Sequence, residues 1–250
     1  MPEQATSDIG SNLAAVDEQI RAACSRCGRE REEVTLVAVT KTRPVAQILN
    51  AYACGVRDFG ENRVEEAEEK RPIFDEEGAG HHVAADPPRW HMIGHVQSRK
   101  AATAVAVSDL VHSVDSMRLA RRLDRFAGEE QRILPVLLEL NVSGEESKYG
   151  FPAADDQALK VFVDEIEELQ EMEHLAVRGL MTMAPIVPDA EIARPVFRRL
   201  REVRDRLRER LPWSDWSELS MGMTDDYVVA IEEGATIIRV GRAIFGPADY

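Results

Sequence analysis

Cysteine is scarce in this chain: Cys24, Cys27 and Cys54 are the only three in 250 residues. So few argue against a disulfide-stapled scaffold. The Cys24-Ser-Arg-Cys27 spacing has no second pair to complete a zinc site. It also closes a helical pattern instead of following a strand, unlike a thioredoxin-type motif. Long hydrophobic runs are missing too. No segment approaches the roughly 20 apolar residues of a membrane span, and the polar stretch Met1 to Asn12 has no signal-peptide core. A cytoplasmic protein is expected. Positive charge is in deficit, with 31 Lys and Arg against 45 Asp and Glu and a formal net charge of −14. Nonspecific attraction to nucleic acid or to an anionic membrane is disfavoured, so any phosphate site has to be local, built from backbone N–H groups and one or two arginines.

What is present is ordinary for a globular protein: 44% apolar and 30% charged residues. The length suits one large α/β domain, and no linker interrupts it, so residues 1–250 are read as a single domain. The most informative segment is Val34-Thr35-Leu36-Val37-Ala38-Val39-Thr40-Lys41-Thr42-Arg43-Pro44. An apolar, β-branched run of this kind reads as a strand of a parallel sheet buried on both faces. Lys41 stands where the strand's carboxyl end meets the next loop, the rim on which α/β barrels place their chemistry. In a half-dry mouth desolvation favours the neutral amine, a candidate for Schiff-base formation with an aldehyde. The plainer alternative is a solvated lysine at a strand end.

Strand-like and helix-like segments then alternate. A helix over roughly Ile9–Cys27, with Leu13, Val16, Ile20 and Ala23 at helical spacing, precedes the first strand. The strand candidates are Thr35–Thr40, Asp58–Gly60, Trp90–Gly94, Leu110–Ser113, Ile133–Asn141, Val177–Met181, Glu218–Ser220 and Ile237–Val240. Helical patterns follow at Pro44–Cys54, Val64–Lys70, Lys100–Ala104, Ser116–Phe126, Ala154–Gln170, Ala193–Arg210 and Asp226–Glu233. Eight such units predict a single (β/α)8 TIM barrel with an extra N-terminal helix. The competing doubly wound sheet lacks a G-x-G-x-x-G after its first strand. Asp75–Pro88 reads as an exposed loop, with His81-His82 a loose surface pair.

Polar groups gather at the carboxyl ends of these strands: Lys41, then Asn62, His112 and Asp115, Asn141, Met181 with its neighbours, Ser220 and Arg239. After the last two strands Gly222 and Gly241 leave backbone N–H groups free, Ser220 offers a hydroxyl, and Arg239 or Arg242 offers positive charge. Barrel phosphate sites commonly occupy that corner, so the set points to a phosphorylated aldehyde cofactor. His91 and His112 read more readily as satisfied core histidines than as acid–base groups. Glu65, Glu66, Glu68 and Glu69 read as surface charge, and Arg198–Arg210 as the solvated face of an outer helix.

Several ordered blocks carry a closer likeness: Leu36–Thr42 with Pro44, Phe59-Gly60-Glu61-Asn62-Arg63-Val64, and Trp90–Lys100. Ser113-Val114-Asp115-Ser116, Asn141–Glu145 with Lys148 and Gly150, Arg178-Gly179-Leu180-Met181, Leu219–Asp226 and Arg239–Gly246 complete them. With these blocks the chain resembles the YggS/PROSC family of pyridoxal 5′-phosphate (PLP) homeostasis proteins over nearly its whole length. The resemblance implies an alanine racemase N-terminal-like barrel, with Lys41 as the Schiff-base lysine. It implies a cofactor-binding set of Lys41, Asn62, Met181, Ser220, Gly222, Arg239, Gly241 and Arg242. Ser220, Gly222, Gly241 and Arg242 would surround the phosphate and Arg239 would face either ring or phosphate. Arg242 stands where many relatives have threonine, which implies an ionic phosphate contact.

The expected function is to hold PLP and to buffer or deliver it, with PLP-dependent apoenzymes as receivers and no efficient turnover. The chain ends directly after the eighth unit, without the second domain from which alanine racemase draws part of its machinery. The alternative is a low-activity PLP-dependent amino-acid racemase or lyase, with His91 or Tyr149 as acid or base. A monomer is expected. Lys100 and Lys148 read as solvated lysines in preference to a second cofactor site.

Overall fold

The apolar strand runs pair side by side, all parallel, and the last returns to the first. The computed structural model of the chain describes residues 2–78, 85–145 and 148–247, the first seven of them as backbone only. The barrel strands are β1 (Thr35–Val39), β2 (Asp58–Glu61), β3 (Arg89–Met92), β4 (Leu110–Val114), β5 (Leu134–Asn141), β6 (Leu175–Met181), β7 (Glu218–Ser220) and β8 (Ile237–Val240). Each pairs with its sequence neighbours, and β8 pairs with β1 through Thr35↔Ile237 to Ala38↔Val240, which closes an eight-stranded barrel. Phe151-Pro152 adds a two-residue bridge on the outside of β5.

Helices cover the barrel: α1 (Pro2–Arg26), α2 (Val45–Ala53), α3 (Val64–Glu77), α4 (Ala101–Val107), α5 (Met117–Glu129), α6 (Asp156–Ile166), α7 (Arg194–Arg210), α8 (Tyr227–Glu232) and α9 (Arg242–Phe245). The expected (β/α)8 barrel is therefore what forms. None of the helices is long and apolar enough to cross a membrane among the described residues.

Alternation along the strands makes two cores. Outward residues such as Ala38, Phe59, Trp90, Val136, Leu138 and Ile238 pack under the helices in one large cluster. Inward Val37, Leu137, Met181 and Ile237 form a smaller apolar layer inside the barrel. The extra helix α1 buries Ile9, Leu13, Val16, Ile20 and Ala23. Asn12 Nδ2 donates to the Ile244 carbonyl at 2.9 Å, and the Tyr227 hydroxyl donates to Gln19 Oε1 at 2.8 Å. This helix thus braces α8 and α9, the two elements beneath the β7 and β8 ends.

Helices α3 and α6 differ from the sequence reading at their boundaries for identifiable reasons. Helix α3 continues through Pro72 to Glu77, past the expected end at Lys70. A mid-helix proline forfeits one backbone hydrogen bond, but fully buried Phe74 packs edge-on against Trp90 at 5.6 Å and holds the last turns down. Helix α6 starts later than Ala154, because the Asp155 side chain accepts from the Ala158 N–H and sets the cap. It ends at Ile166, where a 3₁₀ turn takes over. His81-His82 lies outside the described residues.

Candidate functional site

Lys41 lies two residues beyond β1, in a turn whose next residue, Thr42, has φ +61°. A threonine in the left-handed region needs support from its surroundings. The support comes from behind the sheet. Lys70 Nζ donates to the Thr40 carbonyl at 2.8 Å, to Glu61 Oε1 at 2.9 Å and to Glu66 Oε2 at 2.8 Å. Thr40 Oγ1 donates to Glu61 Oε1 at 2.6 Å, and the Thr42 N–H donates to Glu66 Oε2 at 2.8 Å. Glu66 is therefore a buttress of the lysine turn and not surface charge, a correction to the sequence reading. Helical i,i+4 spacing put it beside Lys70, and Lys70 points inward. Burial pushes the Glu61 carboxyl up against the pull of Lys70 and Thr40. Lys41 itself is exposed at the rim, so burial does not supply the half-dry setting argued from the strand pattern.

The β8 turn leaves the barrel beside this lysine. Ala38 pairs with Val240, and a Cβ built on Gly241 would meet Val39 Cβ at 3.3 Å and the Val39 carbonyl oxygen at 3.4 Å. At the β7 turn Gly222 has φ +93°, and a Cβ there would come within 2.6 Å of Ala230 Cβ and 2.9 Å of Tyr227 Cα. Only glycine satisfies that position. Arg242 is exposed and pairs with Asp225, which joins the two turns across the corner. Of the other expected residues, Asn62 is half-buried just past β2, and Met181 lies fully buried in the inner apolar layer.

Ser220 and Arg239 point into the barrel. Arg239 Nη1 donates to Ser220 Oγ at 2.6 Å and Nη2 to the Thr182 carbonyl at 3.0 Å, which lays the guanidinium across the ends of β6, β7 and β8. Ser220 Oγ also lies 2.8 Å from His112 Nδ1, whose Nε2 lies 2.8 Å from His91 Nδ1, whose Nε2 lies 2.8 Å from Asp58 Oδ1. The two histidines are core residues with every ring nitrogen engaged, in line with the reading made from sequence. Burial, then the nearby His91 and Arg239, holds His112 well below the ordinary imidazole value, so it is neutral. Burial alone would raise Asp58, but the hydrogen bonds from His91 and Arg89 and the charge of Arg89 outweigh it and keep the carboxyl below its ordinary value. Burial lowers Arg239 to about 10, partly offset by Glu139 and Asp226.

Sequence reasoning missed Glu139. It pairs in register with Met181, shares the inward face of β5 with Leu137, and is 3% exposed. Burial, then Asp115, pushes it to about 7 against the pull of Arg239. One signal was available: an acid in the apolar run Leu137-Leu138-Glu139-Leu140 cannot face a helix cheaply. At the rim His95 Nδ1 lies 2.8 Å from Asp115 Oδ2, and its ring stacks on exposed Tyr149 with centroids 4.1 Å apart. Lys100 pairs with Glu65, and Lys148 with Glu145 at 2.7 Å.

Residues 11–249 match the family model of the alanine racemase N-terminal domain. The chain is 39% identical over 245 residues to a pyridoxal phosphate homeostasis protein of Vibrio alginolyticus, covering 98% of this chain and 99% of that one. A protein of the same description from Escherichia coli K12 is 39% identical over 246 residues, covering 98% of each. Among solved structures, PipY of Synechococcus elongatus with PLP bound is 35% identical with a TM-score of 0.77, covering 95% of this chain and 100% of that one. Alanine racemase of Clostridium difficile shares the fold at 12% identity and a TM-score of 0.69, and this chain spans 57% of it. Matched over its full length at this level of identity, the chain belongs to the pyridoxal phosphate homeostasis protein family, built on the alanine racemase N-terminal barrel.

Proposed function

We propose that this protein binds PLP at the carboxyl-terminal mouth of its barrel and serves PLP homeostasis, holding the cofactor and releasing it to PLP-dependent apoenzymes. The observation that carries the reading is the juxtaposition of Lys41 with the Gly241 turn, side by side through the β1–β8 pairing. It combines an exposed amine at a barrel strand end with the corner where backbone and arginine meet a phosphate. When bound, PLP supplies an aldehyde that condenses reversibly with an amine, and Lys41 is that amine. The chain's residues fit such a group. Gly222 and Gly241 keep the two turns free of side chains, Arg242 brings positive charge to their edge, and the Lys70 cluster holds the lysine turn in place. Asn62 and Met181 flank the same mouth from β2 and β6, and Arg239 spans its floor. The Ser220 hydroxyl is engaged with Arg239 and His112, so its part is to support Arg239, with phosphate contact left to the backbone and Arg242.

Efficient turnover is not part of this reading. Both ring nitrogens of His91 are used inside the barrel, and Tyr149 stands in the exposed rim stacked on His95. Neither is set up as an acid or base at Lys41. We take residues 1–250 as one domain, acting in the cytoplasm as a monomer. The test is an absorption spectrum before and after borohydride reduction, with peptide mapping of the adduct. A yellow protein whose pyridoxyl label maps to Lys41 and vanishes in Lys41→Ala is expected. Failure to take up PLP would defeat the reading, and robust steady-state racemase or lyase turnover lost with Lys41→Ala would replace it with the enzyme.

A further inference from the structure

One row of hydrogen bonds crosses the barrel interior, from Asp58 at the start of β2 through His91, His112 and Ser220 to Arg239 at the end of β8. With one proton on each imidazole, its proton count leaves a single arrangement. Asp58 is a carboxylate and can only accept, so His91 donates to it from Nε2. His91 then has a lone pair on Nδ1 and accepts from His112 Nε2–H. His112 in turn accepts on Nδ1 from the Ser220 hydroxyl. Ser220, its one proton committed, accepts from Arg239 Nη1–H. Four gaps take four protons, and every bond points the same way, from the guanidinium to the carboxylate. A fifth, carbonyl bond to Thr182 fixes the other arm of Arg239.

We propose that Asp58, His91 and His112 are positioning residues: their one-way relay commits the Ser220 proton to His112 and keeps a Ser220 lone pair aimed at Arg239, which pins the Arg239 guanidinium across the floor of the mouth where the cofactor docks. The inference rests on the PLP reading above for its last step only. Without the relay, the Ser220 hydroxyl is free to rotate, and the lone pair that faces Arg239 is no longer held in one direction. The remaining groups that face the row are Arg89, beside Asp58, and Glu139 and Asp226, on the Arg239 side. None of them interrupts it. The relay therefore couples residues at the base of the barrel to a site they never touch.

The test has two arms. In the first, histidine ¹⁵N spectra of the wild-type protein without PLP are expected to show His91 and His112 both as neutral Nε2–H tautomers at neutral pH. An Nδ1–H form at either position, or a doubly protonated His112, would overturn the relay. In the second, PLP affinity is compared in His112→Asn, whose amide oxygen replaces the Nδ1 acceptor, and His112→Gln, which extends toward His91 instead. Asn is expected to stay within about twofold of wild type and Gln to weaken binding about tenfold, the scale of one hydrogen bond on a charged group. Equal affinities would show that the relay does not position Arg239. If neither variant folds, the wild-type spectrum with and without PLP decides: the His112 Nδ1 signal is expected to move on binding, and an unmoved signal overturns the proposal. A wild-type protein that binds no PLP defeats the functional reading instead, and the first arm still reads the relay.

Discussion

Glu139 is the acid whose environment departs furthest from its ordinary one among the described mouth residues. Its folded value of about 7 lies above the ordinary 4.5. The folded protein thus keeps a proton that the unfolded chain releases, and stability falls as pH rises through that window. Below pH 4.5 both states are protonated and nothing is lost; above pH 7 the full penalty, about 3 kcal/mol, is present. Glu139→Gln removes the charge and keeps the shape. Urea unfolding is expected to show the variant more stable than wild type at pH 8 by about that amount, with the gap closing toward pH 5. A gap that did not change with pH would mean that the carboxyl is ordinary. At the same scale, Lys41→Ala is expected to abolish the reducible pyridoxyl label while leaving the circular dichroism spectrum unchanged, because the side chain is exposed and supports no packing.

At the scale of elements, the lysine turn and the β7 turn are held by different means. The turn after β1 depends on α3, through a buried lysine between two glutamates. Lys70→Met leaves Glu61 buried with no cation beside it, and removing one partner of such a cluster costs about 3–5 kcal/mol. A chemical denaturation midpoint well below wild type is expected, along with weaker PLP binding as residues 40–42 loosen. The turn after β7 depends on conformation. Gly222→Ala forces a side chain into a positive-φ position already filled by Ala230 and Tyr227, at a cost of about 1–3 kcal/mol. Its effect on PLP affinity is expected to exceed that of a surface change such as Arg206→Ala, and equal affinities would dissociate the turn from the site.

Over the whole molecule, ligand binding and folding are linked, because the mouth is assembled from both ends of the chain: β1 and β8 are neighbours. A ligand at one hundred times its Kd adds about 2.7 kcal/mol of stability, or about 5–10 °C in Tm for a chain of this size. That shift is expected with PLP and is expected to shrink sharply in Lys41→Ala. Both the barrel and its rim were legible beforehand. Eight alternating units, the lysine after Val39 and the glycines after the last two strands are local patterns, and local patterns survive in a one-dimensional reading. The network inside the barrel was not legible. His112 and Ser220 are 108 residues apart, and nothing near either one names the other. Glu66 was misread for a related reason: helical spacing paired it with Lys70, but only the packed helix could say that the pair faces inward.

The amino-acid sequence by itself determined the order of elements, the parallel barrel, and the placing of Lys41 and the two glycine turns at strand ends. Periodicity and turn chemistry act within a few residues and need no partner. Tertiary closure alone decided which strand faces became the interior. It thereby decided that Ser220 meets His112, that Arg239 lies across the floor of the mouth, and that Glu139 is a half-titrated acid at neutral pH. Hydrogen-bond direction and desolvation are properties of a closed space, and that space exists only once β8 has paired with β1.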